Sequence, residues 1–418
     1  MRLARWLYGL ALLAMPLSYA TRDLFGAVGI TWVDPTLILG LAAFLLMGAP
    51  MKEKAPLWLL GFAFLSAFVG MLLMRASADR DRAALYVYYV EPIRLTLNII
   101  WFWVSIHFFR LDRKFVLRWL AICVAWEFSV ASYIYASFYD LVPVPDAVRL
   151  YLEIYKTRQA KWWGDLMTYR MNGTFFESPP FGLFMFCCLV MFVLALWYSQ
   201  DKCETRFRIW LSIGAICAFL GTVASLSDQV LIGLLALGIT LLLAYKGSDG
   251  YSRKLLWSGL VFILALYVTN ALATKGNSES GISGDPTGMS VGERSFHARY
   301  GLGLFLEQPA SLITGIGPGR YGDYAVRTGY FPSTVVTGVT VIEWVVEYGF
   351  VGLFLVGIWL FRIGSKAVLG YGIIGAGALV ALLIANMFQA NWLWESWFLA
   401  LAFLYSSVRA PALKEARA

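Results

Sequence analysis

The segment 293–300 reads ERSFHARY. It places Arg294, His297 and Arg299 within six positions, and His297 is one of only two histidines in the chain. A guanidinium is a planar fork that grips a phosphate bidentately. An imidazole titrates near neutrality and suits taking a proton from a hydroxyl. Two further stretches carry the same residue types. One is RMNGTFFE, with Arg170 and Glu177; the other is GIGPGR, where Arg320 follows a glycine turn. Backbone N–H groups of such a turn can face an anion. Together these residues suit holding an anionic ligand and moving a proton beside it. Plain structural roles compete. Arg294 and Arg299 can pair with Glu293 or Glu307, Arg170 can snorkel to lipid headgroups or pair with Glu177, and His297 and Arg320 can be solvent-facing.

The elements that must position these groups are apolar. The chain has 418 residues, 60% hydrophobic and 14% charged, and a mean hydropathy of +0.67. Soluble domains carry roughly 25% charge. Apolar runs of bilayer-spanning length recur from end to end, which predicts an all-α, polytopic membrane bundle of about twelve helices. The expected spans are 5–21, 33–49, 56–74, 92–109, 115–137, 179–198, 209–226, 228–245, 255–273, 340–361, 367–388 and 391–408. Residues 1–20 mimic a signal peptide but read better as an uncleaved first helix. The net charge is +8. Its basic residues are spread over short loops rather than gathered on one face, so nucleic acid is not an expected partner. The cysteines Cys123, Cys187, Cys188, Cys203 and Cys217 lie outside the large polar loops and show no metal-ligand spacing.

Lys and Arg near the span ends set the expected orientation. With the N-terminus inside, Lys52 and Lys54, then Arg110, Arg113, Lys114 and Arg118, then Lys202, Arg206 and Arg208 fall in inner loops. So do Arg362 and Lys366. The 75–91 loop, with Arg75, Arg80 and Arg82, breaks the pattern. Both termini are expected in the cytoplasm. The whole chain, 1–418, reads as one integral membrane domain with two long outer loops, 138–178 and 274–339, too long to be plain connectors. The first is expected to hold an amphipathic helix at 146–158, lying on the membrane surface beside Trp162 and Trp163. The second opens on a Gly/Ser-rich stretch and continues through the Arg294 segment to Pro309.

Arg294, Pro309, GIGPGR, and EYGFVG with Glu347, Gly349 and Gly352, occur in an order that resembles the O-antigen polymerase and ligase superfamily of integral membrane glycosyltransferases. RMNGTFFESPPFGLF (170–184) is similar to that family's R-x-x-G-x-F stretch entering a span. The resemblance covers about residues 165–355; the remainder matches only in hydropathy and span count. It implies a GT-C-like helical bundle with a large outer loop as a lid. It also implies transfer of a glycan from a polyprenyl-pyrophosphate carrier, with no metal ion and no cofactor. On this resemblance Arg294, Arg299, Arg170 and Arg320 are the expected pyrophosphate-binding residues. Fixed cations there would meet the charge that grows on the departing phosphate.

The chain departs from the family at two places. Many members carry an Arg after a Ser at the start of the span expected at 228–245, whereas this chain reads ASLSDQVLIG with Asp228. Ligases carry a His shortly before the E-x-G glutamate; the corresponding position is Gly338. The base is therefore open among His297, Glu177, Asp323 and Glu343, with His297 and Glu177 the leading candidates. The remaining ionisable residues in spans are Asp34, Glu127, Glu343, Glu347 and Glu395.

The expected activity is that of a polysaccharide (O-antigen or exopolysaccharide) polymerase in a bacterial inner membrane. Its active site would face the periplasm, and it would join an undecaprenyl-pyrophosphate-linked donor to a lipid-linked sugar acceptor with inversion. Membrane lipids and a chain-length regulator are the further expected partners. An O-antigen ligase acting on lipid A core is the nearest alternative, and the absent ligase histidine tilts against it. A lipid-linked oligosaccharide flippase or transporter is the rival from a different class; it usually shows paired broken helices and repeat symmetry, which the sequence does not display.

Overall fold

The computed structural model describes residues 2–17, 34–47, 55–76, 84–146, 160–163, 166–175, 178–198, 204–244, 303, 306, 309–319, 321, 340–387 and 395–406. Helices dominate: α1 (Arg2–Ala14), α2 (Pro35–Met47), α3 (Ala55–Ala76), α4 (Ala84–Leu111) and α5 (Arg113–Phe138). A short antiparallel hairpin follows, β1 (Ala160–Trp163) paired with β2 (Leu166–Tyr169). The chain continues as α6 (Ser178–Tyr198), α7 (Thr205–Ala224), α8 (Asp228–Ala244), α9 (Pro309–Thr314), α10 (Thr340–Met387) and α11 (Glu395–Tyr405). Among the described residues five helices are long and apolar enough to cross a membrane, and four shorter apolar helices accompany them. The expected span at 255–273 and the expected surface helix at 146–158 lie outside the described residues.

Local chemistry sets the helix starts. Asp34 Oδ1 accepts the backbone N–H groups of Thr36 (2.8 Å) and Leu37 (3.2 Å), capping α2, so this buried carboxylate has an architectural role. Asp112 caps α5 through Phe115 N–H at 2.9 Å. Ser178, Pro179 and Pro180 open α6, where a missing N–H costs nothing.

The largest departure from the expected spans is α10. Gly349 (φ 65°, ψ −171°) and Gly372 (φ 57°, ψ −147°) are non-helical inside it. Both occupy a backbone region that is essentially glycine-only. The chain doubles back at Gly372: Gly364 faces Leu379, and a Cβ on Gly375 would collide with Ala367 O. At the other corner Tyr348 lies against Gly352, and Thr340 Oγ1 donates to Asn386 O at 2.7 Å. The element is thus three arms, 340–348, 350–371 and 373–387. The middle arm is about 33 Å long at 1.5 Å per residue, close to a hydrocarbon core of about 30 Å. The sequence expectation placed one turn at 362–366, between Arg362 and Lys366; the turn lies further on, at Gly372, and a second corner stands at Gly349. The two corners share a sequence, Tyr348-Gly-Phe-Val-Gly352 and Tyr371-Gly-Ile-Ile-Gly375.

Aromatic packing ties the arms to the rest. Trp359, fully buried on the middle arm, meets Phe102 of α4 at 5.3 Å and Trp397 and Phe398 of α11 at 6.4 and 5.6 Å between centroids. Trp101 Nε1 donates to Glu395 O at 3.1 Å. Small residues let α8 and the third arm approach closely: Gly233 faces Ala381 and Ala385, and Gly377 faces Thr240.

Chain direction separates two faces. Arg5 pairs with Asp112 at 2.5 Å, Lys114 and Arg118 with Glu204 at 3.4 and 3.5 Å. Arg113 donates to the Tyr371 hydroxyl and lies 4.2 Å over the Phe403 ring. Tyr198, at the end of α6, donates to Tyr371 O beside the Gly372 corner. This is the basic face. The end of α1, the start of α6, the Glu91 end of α4 and the Gly349 corner lie at the opposite ends of the same helices.

Candidate functional site

On that opposite face two constructions contain residues that the sequence singles out. The first is the turn Gly315–Gly319, which follows α9 and has Gly315, Gly317 and Gly319 at φ 71°, 103° and 69°. A helix ends with carbonyls that have no partner of their own, and the Gly349 corner creates such an end in the middle of α10. The turn supplies the donors. Ile316 N–H bonds to Val346 O at 2.9 Å and Gly317 N–H to Glu347 O at 3.1 Å. Ser66 of α3 reaches the same place, its Oγ lying 2.6 Å from Thr314 O and 3.1 Å from Glu347 O. The Glu347 carboxylate accepts Tyr321 N–H at 3.2 Å.

The glycines permit this closeness. A Cβ on Gly315 would overlap the Glu347 peptide, one on Gly349 would stand 2.5 Å from Ile313 O, and one on Gly70 of α3 would overlap Ile316 O. GIGPG and EYGFVG are therefore two halves of one clasp. The N–H groups of Ile316 and Gly317, expected to be available to an anion, are committed to helix carbonyls.

Ionisable groups surround the clasp. Gly319 sits against Glu91, where a Cβ would stand 2.6 Å from Cγ, and Glu91 Oε1 lies 3.7 Å from Nη1 of Arg94. Arg94 is only 4% exposed. The carboxylates of Glu347, Glu91 and Glu343 all act electrostatically on Tyr348. Glu91 and Arg94 were missed by the reading of the sequence. The available signal was a cation just inside the expected span 92–109, since charged residues in spans mark functional positions.

The second construction is the loop 170–175, the R-x-x-G-x-F stretch. It turns back into the bundle instead of passing over it. Met171 N–H donates to Ala224 O at 3.0 Å, at the end of α7. Buried Asn172 closes the loop, its Nδ2 donating to Phe175 O at 2.8 Å while Phe175 N–H returns a bond to Asn172 O at 2.9 Å. Gly173 has φ 56°, and a Cβ there would overlap Oε1 of Glu127. Glu127, on α5 and fully buried, takes Thr174 N–H on Oε1 at 2.7 Å and lies 3.0 Å from Thr174 Oγ1 through Oε2. Thr174 Oγ1 is also 3.0 Å from Pro16 O, just beyond α1.

The loop therefore brings the backbone next to half-buried Arg170 to Ala224, just before the corner 225–227 that leads into Asp228. That is the neighbourhood where the resemblance expects a cation and the sequence has Asp228 instead. Among the expected site residues, Arg170 is described and sits on this face; Arg294, Arg299, Arg320, His297 and Glu177 lie outside the described residues, as does Asp323.

Compared with known proteins, the chain matches no family model and no curated sequence.

Proposed function

We propose that the chain is a glycan polymerase. It joins repeat units carried on undecaprenyl pyrophosphate at the periplasmic face of a bacterial inner membrane, within a GT-C-like bundle of about twelve spans. The observation that carries this reading is spatial. The motifs of the resemblance, far apart in sequence, fold together on one face: GIGPG and EYGFVG as one clasp, and the Arg170 loop at the same ends of the helices. In the reaction the acceptor's hydroxyl oxygen attacks the donor's anomeric carbon. The bond from that carbon to the phosphate oxygen breaks, and the lipid pyrophosphate leaves with the bonding electrons. Arg170, Arg294, Arg299 and Arg320 hold that group and offset its growing charge. His297 and Glu177 are the two candidates to take the hydroxyl proton.

The helix breaks at Gly349 and Gly372 favour a second reading, transport, because transporters use broken helices. Here the breaks sit at the two ends of one arm rather than near its middle, where a transported substrate would bind. Reconstitution with a pyrophosphate-linked oligosaccharide separates the readings. Chain extension is expected, and Arg294→Ala or Arg170→Ala should reduce it by about ten- to a hundredfold for one lost charged contact. Substrate flux without product growth would overturn the polymerase reading in favour of the transporter. Transfer to a lipid A core acceptor alone would replace polymerase by ligase.

A further inference from the structure

We propose that Glu127 is the positioning residue of the donor site: it locks the 170–175 loop into the bundle so that Arg170 is presented in one place. This rests on the polymerase reading for what Arg170 contacts, while the locking itself does not. Nothing in the sequence linked Glu127 to Arg170: the first lies in the expected span 115–137 and the second near the far end of the outer loop 138–178. In the structure the Glu127 carboxylate fastens the loop's centre at two points, one on the backbone of Thr174 and one on its hydroxyl. Gly173 leaves the room this needs, because any Cβ there would overlap Oε1. Further ties run from Met171 to Ala224 at the end of α7 and from Thr174 to Pro16 just beyond α1. A loop held from three elements has little freedom, and an arginine at its entrance inherits that restriction.

Proton counting separates positioning from proton exchange. The Thr174 hydroxyl has one proton, yet Oγ1 lies within bonding distance of both Glu127 Oε2 and Pro16 O. A glutamine at 127 satisfies the whole arrangement: its carbonyl takes Thr174 N–H, its amide donates to Oγ1, and Oγ1 donates to Pro16 O. A positioning role therefore survives Glu127→Gln, whereas a role in giving or taking protons does not.

The test has two arms. In the first, glycan extension is measured for Glu127→Gln, Glu127→Leu, Arg170→Ala and the double variant Glu127→Leu/Arg170→Ala. Glu127→Gln should stay within about threefold of the unsubstituted protein, and Glu127→Leu should fall about ten- to a hundredfold. The double variant should lose no more than about threefold beyond Arg170→Ala, because a misplaced Arg170 and an absent one have the same consequence. In the second arm, Arg170→Cys is introduced into a chain whose five native cysteines are replaced by alanine, and labelling by a membrane-impermeant maleimide is timed. Labelling should be at least about fivefold faster when Glu127→Leu is added. Gly173→Ala displaces the loop while keeping the Glu127 carboxylate, because its added Cβ would collide with Oε1, and it should reproduce both effects if Glu127→Leu fails to fold.

Additive losses in the double variant, unchanged labelling, or a Glu127→Gln as inactive as Glu127→Leu would each overturn the proposal. Absence of extension by the unsubstituted protein would overturn the polymerase reading instead, and the labelling arm would still decide whether Glu127 locks the loop.

Discussion

Glu347 acts through two different groups, and they fail differently. Its backbone carbonyl, orphaned by the Gly349 corner, receives Gly317 N–H and lies within reach of Ser66 Oγ; its carboxylate receives Tyr321 N–H. Glu347→Gln keeps an oxygen for Tyr321, so thermal unfolding in detergent should shift by less than about 1 kcal/mol. Glu347→Ala leaves that N–H unsatisfied and should cost about 1–3 kcal/mol. A catalytic Glu347 would instead lose turnover in the glutamine variant at unchanged stability. The base can be assigned at the same scale. His297→Ala is expected to lower extension by about a hundredfold or more and Glu177→Gln by much less, with the reverse pattern transferring the role to Glu177. The sequence made Glu347, Gly349 and the glycine turn legible as motif residues, because each is marked by its type and spacing. It did not make their joint purpose legible. Ser66 and Gly70 reach Glu347 and Ile316 from α3, a partnership that no local pattern encodes. Glu127 carried the generic mark of a charge in a span, and only the returning loop reveals what it holds.

At the scale of elements, the repeated Tyr-Gly-x-x-Gly corner explains where hydropathy reading fails. A window average sees continuous apolar sequence from 340 to 387 and uses Arg362 and Lys366 to divide it. Both side chains are exposed on the middle arm, and long cationic stems reach several ångströms along an apolar surface toward water, so they mark a face without marking the turn. The turn is set by backbone freedom at Gly372. The two corners should respond unequally to the same substitution. At Gly372 an added Cβ has room, the Tyr198 hydroxyl standing 4.0 Å away, so Gly372→Ala should cost about 1–3 kcal/mol of backbone strain. At Gly349 the same strain is joined by a collision with Ile313 O, and Gly349→Ala should be more destabilising by at least about 1 kcal/mol. Equal shifts in unfolding midpoint would mean that the glycine-turn clasp contributes nothing beyond the corner itself. The hairpin β1–β2 was not anticipated either: AKWW and LMTY are too short for an alternating pattern to stand out.

Over the whole molecule, the expected inner cations that fall among the described residues gather toward one set of helix ends. The expected inner cations Arg110, Arg113, Lys114, Arg118, Arg206 and Arg208 all belong to helix ends on the basic face. There Glu204 offsets part of the charge of Lys114 and Arg118 and Asp112 that of Arg5, and Phe207 lies under Arg118 at 5.5 Å. The Arg170 loop and the glycine clasp lie at the other ends of those helices, one bilayer thickness away by the length of the middle arm of α10. Short basic loops are retained in the cytoplasm, so this arrangement predicts an orientation that can be measured. Asp140, exposed just past the end of α5 at φ 55°, is on the site face; Glu204, before α7, is on the basic face. In a chain without native cysteines, Asp140→Cys should react with an impermeant maleimide in intact cells, and Glu204→Cys only after the membrane is opened. The inverse pattern would put the clasp and Arg170 in the cytoplasm. A donor presented on the outer leaflet could then never reach Arg170, and the chemistry argued for it would have to be abandoned even if every contact in the clasp were correct.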